Sequence, residues 1–471
     1  MHINDTIIAL STPVGRGAIA IIRISGTNTI QILKQIIQKT SSKEKINEEY
    51  LFKNARKFLR AIISFNDEVI DDGMIVFFPS PNSYTGEDMA EIHIHGNPLI
   101  AKKIINVVSI LGLARPSLPG EFTRRAFING KMDLTKAESI HRIITAKSEY
   151  ELNAVKKIYF GDLYKLINRI RSELILLKAQ IEAEVDFSDQ DIDYSEKEKL
   201  KQKIVQIINM IDDVLKKSKI ASHISQGFQI ALVGKTNAGK SSLMNKILGW
   251  DRSIVSDIEG TTRDYISEEI ELAGTLVRII DTAGLRETRD YIEKEGIKRS
   301  KEAMEKSQMI LHVIDGSIKE YSFVPELEEF IKNYKDNYKK IIHIINKKDS
   351  LHQDSWNEEK LKRYINDDIV VKYISCKTGE GIDDLKQSIE SAIKSQFQVS
   401  DPFLLEERHN YHFNKIKESL NKVQSLWNEG APDEIVAIEL QEALNHIAEL
   451  TGEITTEDIL GRIFSMFCIG K

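Results

Sequence analysis

The 471 residues are enough for two to four domains, and 41% hydrophobic with 29% charged residues is the balance of a soluble globular protein. The net charge of −6 excludes a globally basic surface, so any nucleic acid must be met by a local patch or a partner's surface. No apolar run reaches transmembrane length and no basic, apolar leader opens the chain, while two cysteines, Cys376 and Cys468, exclude a disulfide framework and predict a reducing cytoplasm.

Residues 1–120 alternate apolar runs with turn signals, as in Ala18-Ile19-Ala20-Ile21-Ile22-Arg23-Ile24 and Gly73-Met74-Ile75-Val76-Phe77-Phe78. This predicts an α+β domain. If the stretch at Glu91 is a strand, Glu91, His93 and His95 share one face. Polar surface histidines explain that trio more simply than a metal site. No Cys/His cluster has zinc-ligand spacing. Arg23 alone reads as half of a structural ion pair at a strand end.

From Leu134 onward the pattern turns helical, and residues 121–225 form the first part of a helical domain. Ile204, Ile207, Ile208, Ile211 and Leu215 keep the i, i+3, i+4, i+7, i+11 spacing of one buried face.

Residues 226–397 carry the chemistry. Gly234-Lys235-Thr236-Asn237-Ala238-Gly239-Lys240-Ser241 fits G-x-x-x-x-G-K-[ST], with a strand-like run, Phe228 to Val233, before it and a helix-like run from Ser242 after it. Glycines let backbone N–H groups turn around a phosphate, and the helix N-terminus adds its positive end. Lys240 is placed at the β/γ-phosphates and Ser241 at Mg²⁺. Asp281-Thr282-Ala283-Gly284 ends the strand-like Leu276–Ile280; its carboxylate suits Mg²⁺ through water and its glycine N–H the γ-phosphate. Asn346-Lys347-Lys348-Asp349 follows Ile341–Ile345, and Asp349 matches the N1–H and 2-amino donors of guanine, a donor pair that adenine lacks. Ser375-Cys376-Lys377 completes the base pocket. Four motifs in this order, each at a strand end, predict an α/β P-loop GTPase.

Between the first two motifs lies Ser256-Asp257-Ile258-Glu259-Gly260-Thr261-Thr262, the natural switch, with Thr262 as the second Mg²⁺ ligand. Gly284 is followed by Leu285, which cannot orient a water as the glutamine of Ras-like enzymes does. No intrinsic arginine finger is evident, although Arg263 and Arg286 stay within reach. Catalysis is therefore organised differently.

Helical periodicity returns over residues 398–471: Phe413, Ile416, Leu420 and Val423 form a stripe, and Thr455 is the expected N-cap before Asp458 and Ile459. Helices on both sides of the GTPase region predict one bundle interrupted by an insertion.

The phosphate-loop Asn237, the Asp257–Asp264 segment and Asp281-Thr282-Ala283-Gly284-Leu285-Arg286-Glu287 resemble the MnmE (TrmE) family of tRNA-modification GTPases. So do Asp5-Thr6-Ile7-Ile8-Ala9, Pro81–Asp88, Pro119–Phe127, Asn129–Leu134 and the terminal Phe467-Cys468-Ile469-Gly470-Lys471. The resemblance covers nearly the whole chain. It implies a K⁺-stimulated GTPase whose G domains dimerise, with K⁺ held by Asn237, Ser256, Ile258 and Thr261. The cation replaces an arginine finger, worth ~10³–10⁵ in rate elsewhere. It implies that Glu293, twelve positions beyond Asp281, positions the attacking water; alone, Glu293 reads as a solvated acid. It makes residues 1–120 a dimerising, tetrahydrofolate-binding domain, with Arg23, Glu91, Lys131 and Lys471 at the 5,10-methylene- or 5-formyl-tetrahydrofolate site. Cys468 is then placed near the one-carbon donor as a catalytic candidate, against the plainer reading of a small packing residue.

The implied activity is modification of C5 of the wobble uridine (U34) of tRNA to an aminomethyl or carboxymethylaminomethyl group. The implied partner is a flavin-dependent, FAD-carrying protein like MnmG (GidA), in a heterotetramer or larger complex of the homodimer, away from membranes. The rival is an Era- or Der-like ribosome-assembly GTPase. That reading needs a G-x-x-G module or a second G domain, and neither is evident after Phe397. A pure signalling GTPase leaves the N-terminal domain and the cysteine tail without a purpose.

Overall fold

The computed structural model describes residues 5–186, 194–250, 267–281, 301–318, 324, 325, 327, 329, 330, 340–351, 370–396 and 403–471. The chain divides into two compact units, residues 1–145, 156–212 and 406–471 in one, and residues 146–155 and 213–405 in the other.

The first unit opens with β1 (Ile7–Leu10), β2 (Ile19–Ser25), helix α1 (Thr29–Ile36), β3 (Ile37–Lys39), α2 (Glu48–Lys53), β4 (Leu59–Phe65), β5 (Glu68–Phe78), β6 (Met89–His95), α3 (Pro98–Ile110) and β7 (Arg115–Pro116). These strands form a sheet of order β3-β4-β5-β6-β2-β1-β7. Alternation along β2 sends Ala20, Ile22 and Ile24 into the core with Ile32, Phe77, Ile92 and Ile104. Arg23 therefore points to the other face. It lies inside β2 rather than at a strand end, and its register partner is Glu91 of β6.

Helix α4 (Glu121–Ile128) follows at once, then α5 (Leu134–Thr145), α6 (Glu149–Tyr159), α7 (Asp162–Asp186) and α8 (Tyr194–Ser225), of which the start of α6 and the end of α8 belong to the second unit. The buried Arg125 of α4 donates to Asp5 Oδ1 at 2.6 Å, to Glu121 Oε1 at 3.0 Å and to both Glu87 oxygens at 3.2 Å. Arg115 adds 2.6 Å bonds to Glu121 and Asp5. Three of the sequence segments that carried the family resemblance thus meet in one charge network, whose interior cation is compensated by carboxylates on three sides. In α8, Ile204, Ile207, Ile208 and Ile211 are buried as expected, but Leu215 is only half-buried and Val214 takes the inward position.

The second unit carries β8 (Phe228–Gly234), α9 (Lys240–Leu248), β9 (Ser267–Leu272), β10 (Thr275–Asp281), β11 (Met309–Asp315), β12 (Lys340–Asn346), β13 (Val370–Tyr373) and α10 (Ile382–Gln396). The sheet order is β13-β12-β11-β8-β10-β9, parallel except for the β9 edge. Both faces are covered by apolar clusters, which is why these strands read as continuous apolar runs. The order reverses beside β8, so a crevice opens at its carboxyl end.

Helices α11 (Glu407–Asn428), α12 (Asp433–Thr451) and α13 (Glu457–Ser465) return to the first unit. Phe413, Ile416, Leu420 and Val423 are all buried. The N-cap of α13 is Thr456, whose hydroxyl accepts from the Ile459 N–H at 3.4 Å, one residue later than expected. Two adjacent threonines satisfy the same capping pattern, and Thr455 instead turns its hydroxyl inward. Glu138 of α5 is bonded by Arg408 at 2.8 Å through two nitrogens and by His409 Nε2 at 2.6 Å. Against its burial, the His409 and Arg408 charges and bonds hold the Glu138 carboxyl down at about 2. Among the described residues no helix is long and apolar enough to cross a membrane.

Candidate functional site

The phosphate loop joins β8 to α9. Asn237 and Gly239 both adopt left-handed backbone, φ 63° and 95°. A Cβ on Gly239 would fall 2.1 Å from Asn346 Nδ2, and one on Gly234 2.3 Å from the Val313 carbonyl. Only glycine fits either place. Gly239 caps α9 without a side-chain bond, which leaves the first-turn N–H groups of the helix available to an anion. Ala238 is buried, and Ser241 and Ser242 are exposed in that first turn. The Lys240 ammonium is buried and donates to the Gly234 and Lys235 carbonyls at 2.8 and 2.7 Å. A phosphate oxyanion at the loop is a stronger partner for an ammonium than a carbonyl is. The cradle fits a triphosphate.

The base-reading loops converge on the same end of the sheet. Asn346 donates to the Ala238 carbonyl at 3.0 Å and accepts from the Cys376 N–H at 3.1 Å. One buried amide thus spans the phosphate loop and the Ser375-Cys376-Lys377 turn. Lys347, at φ 61°, bridges to Asp315 at 2.5 Å, and Lys348 to Glu380 at 2.7 Å. Asp349 Oδ1 accepts from Ser375 Oγ at 2.5 Å. That bond, first among the causes, lowers the Asp349 carboxyl below its ordinary range and keeps it an acceptor. The Cys376 thiol is half-buried and pushed up by that burial, so the residue serves through its backbone N–H and by packing. Lys377 follows it in the same turn, before the Thr378 N–H that bonds Ser375 Oγ at 3.1 Å.

Asp281 ends β10 opposite Leu232 of β8, which sets its backbone beside the start of the phosphate loop. The expected residues Ser256, Asp257, Ile258, Glu259, Gly260, Thr261, Thr262, Thr282, Ala283, Gly284 and Glu293 lie outside the described residues.

A second site lies in the first unit. Arg23 donates to Glu91 Oε1 at 3.1 and 2.8 Å, and its guanidinium sits 5.4 Å from the Tyr84 ring and 5.7 Å from that of Phe122. Both bonds fall on one carboxylate oxygen; Glu91 Oε2 meets His93 Nε2 at 3.5 Å. Oε2 is thus placed as an acceptor. Arg23, Arg56, Phe78, Tyr84 and Glu91 are among the residues lining an open cavity of about 540 Å³. An aromatic wall, a carboxylate acceptor and arginines fit a pterin with an anionic tail. Lys131 is not among the lining residues; its Cε lies against Gly86, in the loop that supplies Tyr84. Glu91, His93 and His95 do not converge as metal ligands among the described residues, because His95 turns away to bond Asp71 at 2.8 Å.

The terminal residues dock beside this cavity. The Gly470 carbonyl accepts from Ser11 Oγ at 3.1 Å and from Arg23 Nη1 at 3.4 Å, and the Lys471 carbonyl accepts from the Phe122 N–H at 3.2 Å. The Lys471 ammonium is half-buried; burial first, then the Arg23 charge, lower its pKa, while Cys468 and Glu91 act in the opposite sense. Arg23, Glu91, Cys468 and Lys471 therefore share one electrostatic neighbourhood. Cys468 is exposed, and its carbonyl accepts from the Gly120 N–H at 3.4 Å. Arg56, Phe78 and the bridging role of Asn346 were not read from the sequence. Asn346 stood in a motif and signalled the base loop; the other two carry no local signal.

Comparison with known proteins covers both units. The family model described as the GTP-binding protein TrmE N-terminus matches residues 6–131, and that of the MnmE helical domain residues 134–468. A tRNA modification GTPase MnmE of Leptospira interrogans (strain Fiocruz L1-130) is 44% identical over 99% of this chain and 100% of its own length. The MnmE proteins of Thermotoga maritima and Aquifex aeolicus are 39% and 37% identical with the same coverage. Among solved structures, a match to the G domain of the T. maritima FeoB iron transporter covers 35% of this chain and 98% of that one at 23% identity, with a TM-score of 0.26.

Proposed function

Because the chain belongs to the MnmE family of tRNA modification GTPases, we propose that its GTP turnover is K⁺-stimulated and serves modification of the wobble uridine at C5. It is a GTP hydrolase of tRNA modification, built from a TrmE N-terminal domain, a helical domain and a P-loop GTPase region. In the proposed layout the GTPase domain, residues 226–397, is inserted between helical segments 121–225 and 398–471, after an N-terminal domain of residues 1–120.

GTP is held by the Gly234–Ser241 cradle and read by Asp349. Ser241 and Thr262 hold Mg²⁺, while Asn237 with Ser256, Ile258 and Thr261 holds K⁺. The cation supplies positive charge to the transferring phosphoryl group, and Glu293 orients the attacking water. A folate one-carbon donor lies at Arg23, Glu91 and Lys471, with Lys131 approaching from the edge of the Gly86 loop. The proposed assembly is a cytoplasmic homodimer with an FAD-carrying MnmG/GidA-like partner, acting on tRNA.

The observation that carries this reading is the seat of the tail. A tail that served only GTP turnover has no reason to bond Ser11 and Arg23 and to bring the Lys471 ammonium within the influence of Arg23 and Glu91. The docked tail supports a chemical role in the N-terminal unit, which a ribosome-assembly switch does not require. Mass analysis of wobble nucleosides from cells lacking the gene tests it. Loss of the C5-modified uridine is expected; an unchanged profile overturns the reading and favours the ribosome-assembly alternative.

A further inference from the structure

We propose that His412 of α11 with His446 and Glu449 of α12 forms a binding site for a divalent transition-metal ion of the zinc class. Among the described residues this is the group of histidine, cysteine and acidic side chains whose ligand atoms converge, all within 4.8 Å of one another. His446 and Glu449 are three apart on α12 and so share a face. His412 meets them from α11, and Lys422 meets Glu439 at 3.5 Å further along the same helix pair, as antiparallel packing requires.

The separations suit a metal. His412 Nδ1 lies 3.4 Å and His446 Nδ1 3.2 Å from Glu449 Oε2. Ligands at the ~2.0–2.1 Å bonds of tetrahedral zinc stand roughly 3.3–3.4 Å apart. The two nitrogens and the oxygen are of the donor types that such ions take.

An independent observation points the same way. The His412 side chain is 9% exposed, and its Nδ1, aimed at Glu449, is a buried atom with no hydrogen-bond partner. Leaving such a group unsatisfied is costly, and a bound cation would satisfy it. Arg408, the neighbouring cation, spends its donors on Glu138 and on the carbonyls of Glu449 and Leu450. Among the described residues, the basic groups facing the Glu449 carboxylate within hydrogen-bonding or ion-pairing range are the two imidazoles. Glu449 is 42% exposed and His446 21%, which leaves an entry path and room for water as fourth ligand. Such an ion would clamp α11 to α12.

Equilibrium dialysis of the chelator-treated full chain against Zn²⁺ tests the site. One tightly bound ion per chain is expected, at micromolar affinity or better, weakened tenfold or more in both His446→Gln and Glu449→Gln. The His95→Gln variant should bind as the wild type does. Added Zn²⁺ should also raise the melting temperature of the wild type, since the ion binds the folded form. Absence of stoichiometric binding, binding unchanged in both site variants, loss on His95→Gln, or an unmoved melting temperature would each overturn the proposal.

Discussion

The Ser11 hydroxyl donates to the Gly470 carbonyl at 3.1 Å, and this bond fixes the final residues of the sequence against the strand pair that presents Arg23. Gly470 has φ +91°, and a Cβ there would lie 2.3 Å from the Leu10 carbonyl. No other residue can make this approach without moving the tail. Gly470→Ala should therefore undock Lys471 and Cys468, cutting wobble-uridine modification tenfold or more while GTP turnover stays within about twofold. Nucleoside mass analysis beside a phosphate-release assay checks the split. Equal losses in both assays would tie the tail to GTP instead.

Guanine selection is predicted to rest on Asp349, oriented by Ser375 Oγ at 2.5 Å. In Asp349→Asn the carboxylate acceptor of two donors becomes an amide. At about 1.5–3 kcal/mol for each hydrogen bond to a charged group, GTP affinity should fall by roughly 10²-fold or more. Xanthosine triphosphate, whose 2-oxo group opposes the native carboxylate but accepts from the new amide, should instead gain affinity. Titration with both nucleotides decides it, and an equal loss for both would place the effect in loop folding.

Two kinetic outcomes follow from the proposed chemistry of the GTPase. Turnover should be much faster in KCl than in matched NaCl, because the sequence at Asn237 and Ser256–Thr262 matches the family's cation site and shows no evident arginine finger. Glu293→Ala should lower turnover by roughly 10²-fold with nucleotide affinity nearly unchanged, as for an interaction made mainly in the transition state. Equal rates in the two salts, or a parallel loss of GTP binding, would contradict these assignments.

What was legible in the sequence was what the backbone itself demands. The glycines of the phosphate loop encode left-handed turns and close approaches, so the cradle is legible in the motif, and in the fold Gly239 lies against Asn346. The strands of the second sheet read as apolar runs because both faces are covered. The cap of α13 moved from Thr455 to Thr456 because either threonine meets the capping pattern and tertiary packing chose. Docking of Gly470 on Ser11 crosses 459 residues and carries no local signal. Convergence of His412 with His446 and Glu449 was invisible for the same reason, since ligand spacing is informative only within one element.

Acid sensitivity should be strongest where His312 and His343 face each other, Nδ1 to Nδ1 at 3.0 Å, on paired strands β11 and β12. Burial holds both imidazoles neutral, His343 down at about 4 and His312 well below 6.5. A histidine whose folded pKa is depressed costs nothing above its unfolded value near 6.5. As the pH falls from there toward 4, the unfolded chain takes protons that the folded one refuses, and stability declines, by roughly 3 kcal/mol for His343 alone at about 1.4 per unit, with His312 adding in the same direction. Denaturant midpoints between pH 7.5 and 5 should drop in the wild type and fall less steeply when both histidines are replaced by leucine, His412 remaining as a depressed imidazole. Identical slopes would remove the pair from the acid response.

The most direct measurement compares the mass of wobble nucleosides in tRNA from null cells carrying the wild type or Cys468→Ser, with GTP turnover of the same two proteins. Cys468 is exposed in a tail that docks beside Arg23 and Glu91, remote in sequence from the phosphate loop. The expected result is near-normal GTP hydrolysis by both proteins and C5-modified uridine in the wild type alone. Full modification by the serine variant would contradict a chemical role for the tail and reduce Cys468 to packing.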